Sequence, residues 1–187
     1  MEPSASVRFF DAQFERQLAA GELQLNPFEQ AALPFLQGHV LDCGCGLGNL
    51  ALAAAQRGCT VVALDGSAAA IAHLQALAVA HRLPITAARA DLRDHVPPRE
   101  AFDAVVSIGL LMFFDCAVAE RALVQLETHL RPGGTMIVNV LVEGTTYMEM
   151  FDPHAHCLFA RDALAHRYAT WDILSSTLSD FPAPGGL

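Results

Sequence analysis

The sequence has few basic residues, and they do not cluster. Its 187 residues include 11 Lys and Arg against 20 Asp and Glu, which gives a formal net charge of −9. Proteins that bind nucleic acids neutralise phosphates with patches of Lys and Arg. The composition therefore argues against DNA or RNA as a partner.

Long uninterrupted apolar stretches are also absent. A membrane-spanning helix needs about 20 consecutive apolar residues, and no run approaches that length although 53% of the residues are hydrophobic. The first residues, which include Glu2 and Arg8, do not resemble the apolar core of a secretory signal. We expect a cytoplasmic protein with no membrane partner, organised as one domain over 1–187.

The five cysteines are an odd number, and their spacing is not typical of disulfide-linked domains. We expect reduced thiols that serve as small apolar fillers. His154, His156 and Cys157 form the tightest group of possible metal ligands. Such a group is able to hold a soft metal, but it is more often a polar loop beside a pocket, so we expect no metal.

The most informative segment is 39–48, which reads His-Val-Leu-Asp-Cys-Gly-Cys-Gly-Leu-Gly. Its apolar start predicts the end of a buried strand, and its three glycines predict a turn whose backbone approaches a ligand closely. Residues 49–57 then favour a helix whose first N–H groups face the turn. Asp65 ends the next apolar run, where a doubly wound fold holds a ribose diol. The sequence thus predicts a site for a nucleoside-containing cofactor.

The glycine spacing helps to distinguish between cofactors. The dinucleotide fingerprint is G-x-G-x-x-G, whereas here the third glycine is one residue early and Asn49 follows it. Asp42 stands two residues before the first glycine, where a carboxylate suits the ammonium of a methionine moiety and suits a pyrophosphate poorly. A nicotinamide oxidoreductase and an ordinary strand-to-helix turn are the alternative interpretations of this segment.

Strand-like and helix-like patterns alternate along the chain. The predicted strands are 39–43, 60–64, 85–89, 102–108, 135–142 and 171–178. The predicted helices are 6–18, 27–36, 49–57, 68–82, 117–130 and 163–169, the last with Asp162 as its cap. Such alternation predicts an α/β fold with a doubly wound, mostly parallel sheet between two layers of helices.

The pattern Asp42-x-Gly44-x-Gly46-x-Gly48 resembles motif I of the class I S-adenosylmethionine-dependent methyltransferases, and Asp65 falls where that family has its ribose-binding acid. Asp91-Leu92 is similar to the adenine-contact position, and 102–108 is similar to the strand that faces the sulfonium. The resemblance, which covers about 39–142, implies a Rossmann-like fold with S-adenosylmethionine as cofactor and S-adenosylhomocysteine as product. The implied cofactor residues are Asp42, Gly44, Cys45, Gly46, Asn49, Asp65, Gly66, Ser67, Asp91, Leu92, Ile108, Gly109 and Leu110.

A narrower similarity connects 107–114 and 158–171 to the tellurite-resistance methyltransferases, which methylate soft chalcogen oxyanions. That group has a histidine and arginines near its C-terminal end, and this sequence has no such basic trio after Trp171. The implied acceptor is a small molecule, either a soft thiol or a chalcogen oxyanion such as tellurite or selenite. A non-catalytic protein that binds S-adenosylmethionine is the alternative.

Acceptor-side residues are expected in three segments that meet at the carboxyl edge of the sheet. They are an N-terminal helical lid, the turn after 102–108 and the loop after 135–142. The candidate acceptor residues are Phe10, Phe14, Asn26, Phe28, Met112, Phe113, Tyr147, His154 and His156. We expect Tyr147 or His154 to act as the base if the acceptor must lose a proton.

Within the single domain we expect a lid over 1–37, a cofactor-binding core over 38–142, and an acceptor-side loop, short helix and sixth strand over 143–187. The family fold has a seventh, antiparallel strand. The final residues hold two prolines and two glycines and do not suit a central strand, so we expect that strand to be missing. Monomer and homodimer both remain open.

Overall fold

The computed structural model describes residues 5–21, 23–91, 93 and 102–181. In this part of the chain the helices are α1 Ala5–Ala20, α2 Pro27–Ala32, α3 Asn49–Gln56, α4 Ala68–His81, α5 Cys116–Thr128 and α6 Ala163–Arg167. The strands are β1 His39–Cys43, β2 Thr60–Asp65, β3 Ile85–Arg89, β4 Phe102–Ser107 and β5 Leu130–Val138. Short 3-10 turns lie at Leu33–Phe35 and Leu111–Phe113. Strands and helices alternate through the middle of the chain, as expected.

The five strands form one parallel sheet in the order β3-β2-β1-β4-β5. Leu41 on β1 is in register with Val62 on β2 and with Val105 on β4. The strand order reverses between β1 and β4, so their carboxyl ends border the crevice where such folds bind ligands. The predicted doubly wound sheet is confirmed.

Helices cover both faces of the sheet. Val40 on β1 packs on one face with Ala51 of α3 and Ile71 of α4. Leu41 packs on the opposite face with Leu126 of α5. Successive β1 residues thus point into different cores, which is why this strand is apolar on both sides. No helix within the described residues is long and apolar enough to cross a membrane.

Asp103 joins the starts of three strands at the edge of the sheet opposite the crevice. One carboxylate oxygen accepts the His39 backbone N–H at 2.7 Å, and the other accepts Nη1 of Arg131 at 2.7 Å. The β4–β5 register shifts between Phe102 and Ala104. The prediction that β5 begins at 135 is wrong, because this irregularity lets the strand start at Leu130 and pass through a proline that donates no N–H.

Other element boundaries also differ from the predictions. Helix α2 ends at Ala32 because Pro34 lacks the N–H that a continued helix needs, and a 3-10 turn follows. Strand β5 ends at Val138 rather than at 142, since the chain turns there into the acceptor-side loop. Helix α6 covers only Ala163–Arg167.

The predicted sixth strand at 171–178 is wrong. This segment has no regular structure, and Ile173 is 56% and Leu174 65% exposed. A strand requires a neighbour for its backbone N–H and C=O groups, and no described segment pairs with this one. Ring contacts hold this part of the chain instead. Trp171 lies 5.1 Å from Tyr168, and Phe181, just after the segment, lies 4.7 Å from Phe28 between centroids.

The expectation that all cysteines are reduced is wrong for two of them. Cys116, at the start of α5, and Cys157, in the loop after β5, form a disulfide with Cα atoms 4.7 Å apart and a sequence separation of 41. The fold brings them together when the chain returns past β4, so their spacing in the sequence carries no signal. Cys43, Cys45 and Cys59 are free and buried, as expected.

This cross-link generates a stability prediction. Cys116→Ser should lower the free energy of unfolding by about 2–4 kcal/mol, because the unfolded chain regains the entropy of an open loop. Urea unfolding measures the loss. A reductant should destabilise the wild type by the same amount and leave the variant unchanged. Equal curves for the oxidised wild type and the variant would contradict the prediction.

Candidate functional site

The turn between β1 and α3 contains three glycines in left-handed conformations. Their φ angles are 81° at Gly44, 53° at Gly46 and 80° at Gly48, values that favour glycine strongly. A Cβ on Gly48 would lie 2.5 Å from Cδ1 of Leu74 on α4. The third glycine is therefore needed for the turn and also for the close packing of α3 against α4.

The N–H groups of this turn bind within the protein. Those of Gly44 and Cys45 donate to the Leu64 carbonyl at 2.8 and 3.1 Å. That of Gly46 donates to a carboxylate oxygen of Asp65 at 2.9 Å. A phosphate binds through N–H groups that are free, so these three donors are not available to one.

Asp65 connects the turn after β1 with the turn after β2. Its second carboxylate oxygen accepts the Ser67 backbone N–H at 2.8 Å. Burial raises the pKa of Asp65 and the nearby Asp11 raises it further, while the hydrogen bonds from Ser67 and Gly46 act in the opposite direction. Ser67 also caps α4 through Ala70 and donates its hydroxyl to Asp11. The expected ribose-binding acid thus lies at the crevice, on the edge of the glycine turn.

The carboxyl group of Asp42 is buried without a full set of hydrogen-bond partners. Its side chain is 4% exposed, one carboxylate oxygen has no hydrogen-bond partner among the described residues, and it borders an apolar gap with Leu50 and Val106. Burial raises the pKa of Asp42 to about 7, and the charges of Glu29 and Asp65 contribute to the rise. The crevice therefore concentrates negative charge, which attracts a cation and repels a phosphate.

Other predicted cofactor residues have protein partners at the same edge. Nδ2 of Asn49 donates to the Gln24 carbonyl at 3.4 Å. Asp91 pairs with Nε and Nη2 of Arg93 at 2.9 and 2.6 Å, and this partner lowers the pKa of Asp91. The carbonyl of Gly66 accepts Nε of Arg89 at 3.0 Å. Leu92 lies outside the described residues.

One face of α1 lies across the crevice. Cγ2 of Val7 is 3.0 Å from the position of a Cβ on Gly66, and Cζ of Phe14 is 3.2 Å from the position of a Cβ on Gly46. Asp11 lies between them in the sequence and accepts the Ser67 hydroxyl. These side chains share a helix face because they are separated by four and three residues. Asp11 is absent from the predicted site, although its spacing from Phe14 was a usable signal.

The segment after β4 closes the opposite side of the turn. Gly109 has a φ of 66°, which turns the chain. Cβ of Leu110 is 3.0 Å from the position of a Cβ on Gly44. Ile108 packs into the core beneath α3. Of the three cofactor residues predicted after β4, Gly109 and Leu110 therefore lie where the chain turns beside the glycines.

An aromatic and methionine cluster continues from this segment, and we refer to it as the acceptor-side cluster. The Phe113 ring lies 4.8 Å from Phe10 and 5.0 Å from Phe151 between centroids. Phe10 also stacks on Phe14 at 5.8 Å, which connects the cluster to the crevice. The members are Phe10, Met112, Phe113, Leu141, Met148, Met150 and Phe151. Phe151 is absent from the predicted site, because it lies in a loop with no periodicity.

The histidines of the acceptor-side loop differ in environment. His156 is half-buried with its ring 5.9 Å from Phe151, and Nδ1 lies 3.0 Å from the Asp152 carbonyl oxygen. His154 is exposed, and its backbone N–H donates to the Asp152 carboxylate at 2.9 Å. Tyr147 is half-buried. Within the described residues, no group of three metal-ligating side chains occurs.

Two predicted acceptor residues lie elsewhere. Asn26 caps α2, where its side chain accepts the N–H groups of Phe28 and Glu29 at 2.9 and 3.0 Å. Phe28 packs on Phe181. No contact among the described residues joins either of them to the acceptor-side cluster.

Comparison with known proteins identifies the family. A family profile for a methyltransferase domain matches residues 40–134, which run from β1 through the glycine turn into the first half of β5. The chain belongs to the methyltransferase domain family. The Rossmann-like class I methyltransferase fold predicted from motif I is confirmed.

Three similar proteins extend this finding. Hemagglutinin 1 of Eikenella corrodens is 30% identical over 138 residues, which cover 72% of this chain and 44% of that protein. TehB from Haemophilus influenzae has a TM-score of 0.69 at 24% identity, over 81% of this chain and 52% of its own. A structure reported for the conversion of a disulfide bond into a thioacetal group during echinomycin biosynthesis has a TM-score of 0.61 at 30% identity, over 78% of this chain and 67% of its own. The chain spans about half the length of the first two.

The buried carboxyl of Asp42 generates a pH prediction. Its pKa is raised to about 7, so the folded protein holds this proton more tightly than the unfolded chain and loses stability as the pH rises from about 4 to about 7. A tenfold difference in proton affinity between the folded and the unfolded state is worth about 1.4 kcal/mol. The full loss in the free energy of unfolding therefore approaches about 4 kcal/mol.

Asp42→Asn removes this titration. The free energy of unfolding of the variant, measured in urea between pH 5 and pH 8, should fall less steeply with pH than that of the wild type. Asp172→Asn, an exposed acid outside the crevice, is the matched control and should keep the wild-type slope. Parallel curves for wild type and Asp42→Asn would contradict the assignment.

Proposed function

We propose that this protein transfers a methyl group from S-adenosylmethionine to a small-molecule acceptor. The observation that carries the proposal is a turn whose three glycine N–H groups are internally bonded and whose surroundings are carboxylates. Family membership agrees with it. S-Adenosylmethionine carries a sulfonium and an ammonium and has no phosphate, so it fits this charge where a dinucleotide does not. When bound, it supplies an electrophilic methyl group.

The residues that would hold the cofactor have distinct tasks. Asp65 would accept the ribose hydroxyls, and Asp42 would supply negative charge for the ammonium. Gly44 and Gly46 allow the backbone to lie close to the methionine moiety. Asp91, with Leu92, is the proposed contact for the adenine. Alignment of acceptor and methyl group is the main catalytic contribution that we expect, since fixed geometry replaces the entropy of an encounter.

The acceptor that we propose is a soft nucleophile, either a thiol or a chalcogen oxyanion such as tellurite or selenite. The resemblance of residues 107–114 and 158–171 to the tellurite-resistance methyltransferases supports the oxyanion. The similarity to the protein of echinomycin biosynthesis, reported for disulfide chemistry, supports sulfur. Tyr147 and His154 are the bases proposed from sequence. A cytoplasmic location, the absence of a nucleic-acid partner and the oligomeric state remain predictions.

A titration with S-adenosylhomocysteine tests the cofactor. We expect micromolar binding by calorimetry and no binding of NAD under the same conditions. Asp65→Ala should weaken binding by about 1–3 kcal/mol, because the ribose hydroxyls lose a charged acceptor. Asp172→Ala is the control and should bind as the wild type does.

Three results separate the alternatives. NAD binding without S-adenosylhomocysteine binding would favour an oxidoreductase. Binding without turnover of S-adenosylmethionine in any acceptor screen would favour a non-catalytic binding protein. An unchanged dissociation constant for folded Asp65→Ala would remove Asp65 from the site.

The lid role proposed for 1–37 makes a separate prediction. The Phe14 ring lies against Gly46, where the cofactor must approach the backbone, so α1 must move before the cofactor binds. Phe14→Ala should therefore tighten S-adenosylhomocysteine binding about three- to tenfold, since less of the binding energy is spent on displacing the helix. Calorimetry measures the dissociation constant. Glu15→Ala on the exposed side of α1 is the control, and weaker binding by Phe14→Ala would mean that α1 instead closes over bound cofactor.

A further inference from the structure

The acceptor-side loop carries negative charge and no permanent positive charge. The segment 141–159 contains Glu143, Glu149 and Asp152 and has neither Lys nor Arg. An oxyanion in a protein site is held by cationic or N–H donors, most effectively by Arg. Three carboxylates in the loop that packs on the cluster oppose such a ligand. The charge of this loop favours an acceptor that arrives uncharged.

The acceptor-side cluster is apolar and rich in aromatic and thioether side chains, and Phe10 of α1 covers it in this structure. Phe113 and Phe151 are stacked, and Met112 is buried beside them. Aromatic rings and thioethers are polarisable and make favourable contacts with sulfur. The cluster continues directly from Leu110, which lies against Gly44. An apolar acceptor that replaced Phe10 when α1 moved would contact the cluster on the side that faces Phe14 and the glycine turn.

His156 is a titratable side chain at the edge of this cluster with a fixed tautomer. The Asp152 carbonyl only accepts hydrogen bonds, so the contact of 3.0 Å requires the proton on Nδ1. A neutral His156 then presents an unprotonated Nε2, which has no partner among the described residues. Its ring is packed beside Phe151, whereas the ring of His154 is exposed. The geometry selects His156 as the group able to take a proton from a molecule in the cluster.

We propose that the methyl acceptor is an uncharged apolar thiol and that Nε2 of His156 removes its proton. This inference rests on the proposed methyl transfer and assigns its substrate class and its base. The thiol sulfur bonds to the methyl carbon while the methyl–sulfonium bond breaks and its electron pair remains on the cofactor sulfur. The thiol proton passes to Nε2, so charge and atoms balance without a further reactant.

Two thiols of similar shape test the role of His156. Phenylmethanethiol is mostly protonated at pH 7.5 and needs a base, whereas thiophenol is mostly ionised and does not. With S-adenosylmethionine present and S-adenosylhomocysteine formation measured, His156→Gln should lower kcat for phenylmethanethiol by about 100-fold or more, the range typical of a lost general base. The loss with thiophenol should stay below about tenfold. His81→Gln on the exposed surface of α4 should leave both rates unchanged.

Several outcomes would overturn the proposal. Equal losses for both thiols would mean that His156 has only a structural role, and a loss in His154→Gln without one in His156→Gln would move the base to His154. Methylation of tellurite or selenite with no thiol turnover would exclude the thiol class. In each case, variants that still bind S-adenosylhomocysteine would leave the proposed cofactor unaffected. A wild-type protein that does not bind S-adenosylhomocysteine would instead contradict the proposed function itself.

A readout independent of turnover tests the tautomer. The ¹⁵N chemical shifts of the imidazole distinguish a proton on Nδ1 from one on Nε2. We expect the Nδ1–H form for the neutral ring of His156, assigned by comparison with the His156→Gln spectrum. An Nε2–H form would leave no lone pair on the nitrogen that we assign as the base and would overturn this part of the proposal.

Discussion

The side chain of Asp65 joins the two turns on which the crevice depends. It binds the N–H of Gly46 at the end of β1 and the N–H of Ser67 at the end of β2, and these strands are adjacent and in register. Both carboxylate oxygens therefore hold the backbone of these turns in place, whether or not they also bind a ligand. A single carboxylate couples the shape of the glycine turn to the start of α4.

The negative charge of the crevice has a stability cost that the fold offsets elsewhere. Asp42 is buried beside apolar side chains, and Asp65 and Glu29 repel its charge. Apolar cores on the two faces of the sheet and the hydrogen bonds of Asp103 at the far edge hold β1 in place despite this cost. Unfavourable groups in otherwise well-packed proteins concentrate at functional sites, which is the pattern seen at Asp42.

Local sequence patterns predicted the features that arise locally. The glycine turn, Asp65 at the end of β2 and the alternation of strands and helices depend on neighbouring residues, and the structure has all three. The Cys116–Cys157 disulfide and the position of Phe151 depend on how distant segments meet, so spacing carried no information about them. Residues 171–178 have the composition of a strand, but pairing is a tertiary property and the described chain offers them no partner.

The disulfide also makes part of the chain a closed covalent ring. It runs from Cys116 through α5, β5 and the acceptor-side loop to Cys157 and back across the sulfur atoms. The exposed residues His154 and Glu149 lie inside this ring. A protease that cuts the loop there opens the ring without releasing a fragment, so both ends stay beside the Phe113–Phe151 pair. Nicked protein would migrate as one chain until it is reduced.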